Sequence, residues 1–325
     1  MIDLSVKFAA VAATAWLITR HVRPADAAAA HRLWLAVLAA PALWLLGSVI
    51  WPPLAYVVPR AGRWPAILTH PSAEVWNTAV VVYTAGAAVL LARAAGGVVA
   101  VQRLLRGSRL VDGSDLGRLR QLAGSDRLDI READIDVPVT AGFVRPSVVL
   151  PQEWRGMTDA ALTAILRHEA AHVRRHDCAI ALLCAVIEAA LWLHPAVWLA
   201  AFQVRRLAEI ACDAEAAGSM DGHQYASELL ALAVRWTRRR RPPYAMTAGA
   251  GTSIATRLRL LLDELEHGRR RRRVLIPLAT VALPVVLLTS GAIHFGQRGA
   301  PVTGIAPHVS HMDTHDNRHQ VLRRE

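Results

Sequence analysis

Long apolar runs dominate both ends of the chain, and shorter, punctuated patterns lie between them. Four runs approach the length that crosses a bilayer core of ~30 Å, about 20 helical residues. They cover residues 4–18, 33–50, 75–92 and 274–293, with Trp34, Trp51 and Trp76 near their edges, as interfacial aromatics sit. The first is short and contains Lys7. A cleaved signal peptide is the alternative, but Thr19-Arg20-His21 follows with no A-x-A site, so a retained span is expected.

Between the third and fourth runs the pattern is mixed. Residues 115–122 read as a short helix, and residues 128–135 and 137–150 as strands broken by Pro138, Gly142 and Pro146. Those strands fit either a hairpin packed on helices or an edge that holds a substrate in extended form. A helix follows from Thr158 as N-cap, with Asp159 in its first turn. Residues 178–202 are apolar enough for a fifth span, yet Pro195 interrupts them, and proline inside a helix costs ~3 kcal/mol. Two helices, 178–193 and 196–217, are expected, forming a hairpin that enters the membrane region and returns. Glu188 and His194, its strongly polar groups, are expected to be hydrogen-bonded within it. Residues 224–236 and 254–267 read as amphipathic helices joined by an arginine and proline linker at 238–243.

Composition agrees with a mixed membrane and soluble chain. The 325 residues are 54% hydrophobic with mean hydropathy +0.28, and the formal charge of +11 is almost all arginine. Arg20, Arg23 and Arg32 mark the first loop and Arg93, Arg103, Arg106 and the run 269–273 mark the third, whereas the second has Arg60 and Arg63. Cytoplasmic loops carry the excess of basic residues, so loops one and three are expected inside and both termini outside. The run at 269–273 abuts a span and suits anionic lipid and topology control, so no direct nucleic-acid binding is expected. Cys178, Cys184 and Cys212 form no C-x-x-C pair, which fits a reducing compartment. Four domains result: three spans in residues 1–95, a cytoplasmic domain at 96–273, a span at 274–294 and a polar tail at 295–325. The tail holds His308, His311, His315 and His319, either a metal-binding patch or a solvated segment.

The chemistry starts at His168-Glu169-Ala170-Ala171-His172, an H-E-x-x-H on the helix after Thr158. Residues i and i+4 share a helix face, so His168 and His172 can reach one metal ion. Glu169 is turned about 100° from His168, near enough to act on water held by that metal. A catalytic zinc takes three protein ligands and leaves a position open. Glu209, in the next helical stretch, is the expected third, and Asp213 one turn later is placed to hydrogen-bond the far nitrogen of a ligating histidine. Asp177 is a second candidate for that role. Were residues 178–202 a single crossing, His168 and Glu209 would lie on opposite membrane faces and share no metal, which is a further reason to expect a hairpin.

Residues 166–177, then His194-Pro195-Ala196-Val197-Trp198 and Glu209-Ile210-Ala211-Cys212-Asp213, resemble the BlaR/MecR-type antirepressor membrane metallopeptidases. Val137-Pro138, Gly142-Phe143-Val144-Arg145-Pro146 and Val149-Leu150-Pro151 are similar to that family's strand pair. Ile210 departs from it, standing where the family usually has an aromatic. The tail after the fourth span is expected to be too short for the penicillin-binding sensor domain of the best-known members. The resemblance implies a gluzincin-like peptidase acting on a cytoplasmic protein, with a winged-helix repressor and the chain's own third loop as candidate substrates.

The expected protein is therefore a mainly α membrane protein with four transmembrane helices and a cytoplasmic α+β zincin-like domain between the third and fourth. It binds one catalytic Zn²⁺ through His168, His172 and Glu209, uses Glu169 as general base, and has Asp213 and Asp177 behind the ligands. The rival is a non-proteolytic membrane signalling or scaffold protein with a structural metal, which would have no use for Glu169.

Overall fold

A computed structural model gives the fold over residues 2–50, 72–237 and 253–267. Helix α1 (Ile2–Thr19) leads through a 3₁₀ turn at Pro24–Asp26 into α2 (Ala27–Ile50), and α3 spans Ala73–Gly107. Among the described residues two stretches, Pro24–Trp44 and Ala73–Gly107, are long and apolar enough to cross a membrane; the apolar part of α1, Ser5–Thr19, is shorter. The expected fourth span at 274–293, the linker at 238–243, the basic run at 269–273 and the histidine tail lie outside the described residues.

Helix α3 continues past the expected end of its apolar run at residue 92 as far as Gly107. Neither Gly96 nor Gly97 takes a positive φ, so neither ends the helix. Ala94, Gly97 and Val101 recur at helical spacing and are buried, so this part of the helix has a packed face of its own. Nearer the start, Val81 and Val82 are exposed, a surface suited to lipid.

Four strands form one sheet in the order β1-β2-β4-β3: β1 (Arg109–Leu110), β2 (Ile130–Ala133), β3 (Val139–Ala141) and β4 (Ser147–Pro151). The expected second strand at 137–150 is thus two, reversing at Gly142, with β3 antiparallel to β4 and outermost. β2 pairs with β4 in parallel rather than with β3, so the sequence-adjacent hairpin partner is not the neighbour in space. β1, two residues long, is too short to show a period of two. α4 (Gly113–Ala123) contains the expected helix at 115–122.

Helix α5 (Asp159–Arg175) carries H-E-x-x-H, and Thr158 caps it by accepting from the Ala161 amide at 3.2 Å. Leu162, Ile165 and Leu166 bury themselves against Leu119, Ile130, Leu150 and Trp154. Each such side chain is worth about 1.5–3 kcal/mol, against about 1 kcal/mol for the cap, so packing outweighs capping in placing this helix. His176 ends it in the left-handed region at φ 55, and α6 (Asp177–Ala190) starts at the next residue.

Two helices joined by a turn stand where the hairpin is expected. α6 is followed by α7 (Pro195–Gly218), with Pro195 at its first position, where a missing N–H costs nothing. His194 caps α7 by accepting from the Ala196 amide at 3.2 Å, and buried Glu188 accepts from Arg205 at 2.8 Å, both local roles as expected. At the turn, Trp192 lies on Gly86 of α3, where a Cβ would stand 2.5 Å from the indole. Val197, Val204, Leu207 and Ile210 share an apolar cluster with Phe8, Trp34 and Val37, which anchors α7 on α1 and α2. α8 (Gly222–Thr237) and α9 (Ile254–His267) complete the described chain.

Gly142 sits at φ 111, and a Cβ there would meet the Arg145 carbonyl oxygen at 2.8 Å. Gly142→Ala is expected to cost about 1–3 kcal/mol through this backbone strain, read as a lowered midpoint in thermal unfolding of the detergent-solubilised protein. An unchanged midpoint would show that the β3–β4 reversal does not need glycine.

Candidate metal centre

The site lies where α5 meets α7. One turn of α5 separates His168 from His172, and their Nε2 atoms approach to 3.1 Å. Glu209, on α7, brings Oε1 to 3.7 Å from His172 Nε2 and Oε2 to 3.8 Å from His168 Nε2. His172 and Glu209 are buried, and His168 is nearly so.

Behind each imidazole stands a carboxylate. Asp177 Oδ2 is 2.8 Å from His172 Nδ1, and Asp213 Oδ1 is 3.1 Å from His168 Nδ1. A carboxylate can only accept, so each Nδ1 carries the proton and each Nε2 presents a lone pair inward. The left-handed turn at His176 makes the Asp177 contact, because it reverses the chain within five residues of His172.

Two inward lone pairs and a carboxylate repel one another unless a cation lies between them. Zinc fits these donors chemically, since imidazole nitrogen and carboxylate oxygen are both among its ligands. It also fits them by size: bonds of 2.0–2.1 Å in a tetrahedron put ligand atoms roughly 3.3 Å apart. A second trio, His172, Asp177 and Cys212, lies equally close. It shares His172 through Nδ1, with Cys212 Sγ at 3.5 Å. Burial pushes the Cys212 thiol up to about 11, and the His172 nitrogen of this set is the one that already faces Asp177.

Glu169, which follows His168 on α5, is half-buried. Thr140, on the outer strand β3, puts Oγ1 at 2.7 Å from Glu169 Oε2 and 3.1 Å from the Glu169 carbonyl oxygen. Its hydroxyl thus ties the candidate base to the sheet edge. The Thr140 carbonyl accepts from Cys178 Sγ at 3.3 Å.

Three neighbours escaped the sequence reading. Arg257 of α9 donates from Nε to Asp213 Oδ2 and from Nη2 to Asp213 Oδ1, both at 2.6 Å, and its Nη1 lies 2.9 Å from Glu209 Oε2. Burial alone would raise the Asp213 carboxyl, but the Arg257 charge and its paired donors hold it well below the usual carboxylate range. Tyr225 of α8 donates to Asp213 Oδ1 at 2.7 Å, and burial, then the Asp213 charge, push its phenol well above its ordinary value, so it remains a donor. Thr140 is the third. Nothing in the sequence separates Arg257 from the other arginines of an arginine-rich chain, or Thr140 from any threonine of a strand. Tyr225, one of four tyrosines, offered only its rarity.

On the other side, His31 of α2 lines a small cleft with His172, Asp177, Arg205 and Glu209. The second apolar helix therefore reaches the rear of the site.

This chain is similar to characterised proteins over part of its length. The regulatory protein BlaR1 of Bacillus licheniformis is 29% identical over 79 residues, 24% of this chain and 13% of that protein. The methicillin resistance mecR1 protein of Staphylococcus aureus (strain Mu50 / ATCC 700699) is 28% identical over 94 residues, 29% of this chain and 16% of that protein. The matched stretch is thus a small fraction of these relatives. The family described as BlaR1 peptidase M56 matches residues 64–261, which take in α3, the sheet and every donor atom of the site. Since that match covers more than half of the chain, the protein belongs to the BlaR1 peptidase M56 family.

Proposed function

We propose that the protein is an integral membrane zinc endopeptidase that cleaves a cytoplasmic protein in signal-responsive regulation. The observation that carries this reading is the meeting of His168 Nε2, His172 Nε2 and the Glu209 carboxylate around one point, with Glu169 following His168 on the same helix. His168, His172 and Glu209 would hold the zinc. When bound, zinc polarises the scissile carbonyl and lowers the pKa of its water towards ~7.

The remaining work falls to the chain's own groups. Glu169 takes the proton from the attacking water and delivers it to the leaving amine. Thr140 holds Oε2 of that carboxylate, leaving the other oxygen to move the proton. Asp213 and Asp177 fix the ring orientation and tautomer of His168 and His172. β3 is the outer strand of the sheet and borders α5, so an extended substrate segment has a backbone to pair with beside the base. A metal with a purely structural role would leave Glu169 without a task, which argues against the scaffold alternative.

The substrate expected from the family likeness is a transcriptional repressor, with self-cleavage of the segment between the third and fourth spans as a second target. Four spans are proposed, with the catalytic domain cytoplasmic and both termini outside, on the distribution of arginine. Arg174 of α5 and Glu215 of α7 form an ion pair, which supports one side for both helices of the site.

Glu169→Gln is expected to keep about one zinc per chain while slowing cleavage by about 10²–10⁴-fold. His172→Ala and Glu209→Ala should lose the metal. Metal analysis of the purified protein checks the first point, and comparison of newly formed protein N-termini in cells expressing each form checks the second. Wild-type cleavage by Glu169→Gln would end this mechanism.

Topology is open to a direct check, because the three native cysteines are buried and can stay in place. Arg174→Cys and Glu215→Cys, made singly, should both react with a membrane-impermeant maleimide only from the cytoplasmic side. Reaction from opposite sides would exclude Glu209 as a ligand partner of His168.

A further inference from the structure

Glu209 and Asp213 stand one turn apart on α7, and are 6% and 1% exposed. Two carboxylates so buried resist ionising together unless a cation compensates them. Arg257 supplies it with a fixed fork: Nε and Nη2 grip both oxygens of Asp213, and Nη1 takes Oε2 of Glu209. A planar guanidinium sets the distance and angle between the groups it bridges, which an ammonium does not. Oε1 of Glu209 is then left facing His172, while Asp213, gripped from behind, keeps Oδ1 on His168 Nδ1. One side chain therefore orients the Glu209 carboxylate directly and the His168 ring through Asp213.

Arg257 belongs to a helix remote in sequence from both. α9 is held to the body by Leu261, which packs with Tyr225, Leu229 and Ala216, and by Glu264, whose Oε2 accepts from the Ala25 amide at 3.3 Å in the turn before α2. It touches the α1–α2 turn, α7 and α8 together. In the sequence the basic run 269–273 and the apolar run 274–293 follow immediately.

Resting on the zinc reading above, we infer that Arg257 is a positioning residue for the zinc donors, so that docking of α9 and zinc affinity are two sides of one equilibrium. Linkage makes the coupling reciprocal: a docked α9 tightens zinc binding, and bound zinc holds α9 down. Whatever displaces α9 then acts on the site through the geometry of Glu209 and Asp213.

The test uses the full chain purified in detergent, with zinc affinity measured by competition against a chromogenic chelator. Arg257→Ala should weaken zinc about 10–100-fold, the usual loss when a partner of a ligand is removed. Arg257→Lys, which keeps the charge without the fork, should recover part of it, and Arg259→Ala, exposed on the same helix, should change nothing. Hydrogen exchange of the wild-type protein should show the amides of residues 254–267 slowed by zinc and released by chelator. Equal or tighter zinc binding in Arg257→Ala, or α9 exchange indifferent to zinc, would overturn the inference while leaving the peptidase reading intact. Should Arg257→Ala fail to fold, the lysine variant and the wild-type exchange decide it. Unaltered zinc binding in His172→Ala would instead fault the ligand assignment itself and this inference with it.

Discussion

Repulsion among electron-rich groups is the constraint around which this molecule is arranged. Two imidazole lone pairs and a carboxylate are held at contact distance in a buried place, where water screens little of their mutual cost. They arrive on two separately braced elements. α5 is fixed by its leucines against the sheet and α4, and α7 by a long apolar face against α1 and α2. The bracing explains why two membrane-type helices, a small sheet and a hairpin occur in one fold: none of these parts alone would hold three donors in place against their preference to separate.

The same logic runs outward from the donors. Asp177 and Asp213 add negative charge rather than remove it, yet each fixes a proton on Nδ1 and so commits Nε2 to the interior. Their own charge is met by Arg175 and Arg257, with Arg175 Nε 3.1 Å from Asp177. The result is alternating layers, cation outside anion outside imidazole.

Much of this was legible in the sequence, for local reasons. The two histidines of H-E-x-x-H, and Asp213 one turn after Glu209, are periodicity arguments, because an α-helix converts spacing into a shared face; Glu209 itself followed from zinc's need of a third ligand. Pro195 marked the hairpin because its ring restricts the chain wherever it stands. Arg257, Tyr225 and Thr140 were not legible, because each joins the site by a tertiary contact that crosses from another element. Thr140 reaches Glu169 from 29 residues away, and Arg257 reaches Asp213 from 44, with no repeat to announce either. The strand region failed in a related way. Two runs interrupted by Pro138, Gly142 and Pro146 suggest neighbours in space, but β2 and β4 pair in parallel and β3 is carried to the outside. The continuation of α3 was hidden by Gly96-Gly97, a pair that reads as a break when its packed face is not yet known.

That continuation gives the molecule a mechanical property. At 1.5 Å per residue, the 35 residues of α3 make a rod of about 52 Å, well beyond the ~30 Å of a bilayer core. Its far end packs through Val101 against Ala141 and Val149, next to the threonine that holds Glu169. No joint separates the part suited to lipid from the part that covers the sheet. Val101 lies about 26 Å along the axis from the middle of the apolar run, so a tilt of about 5° there carries the sheet end sideways by about 2 Å. A shift of that size is large beside the 2.7 Å contact between Thr140 and Glu169. The helix thus carries any tilt of its apolar half to the sheet as leverage rather than as binding.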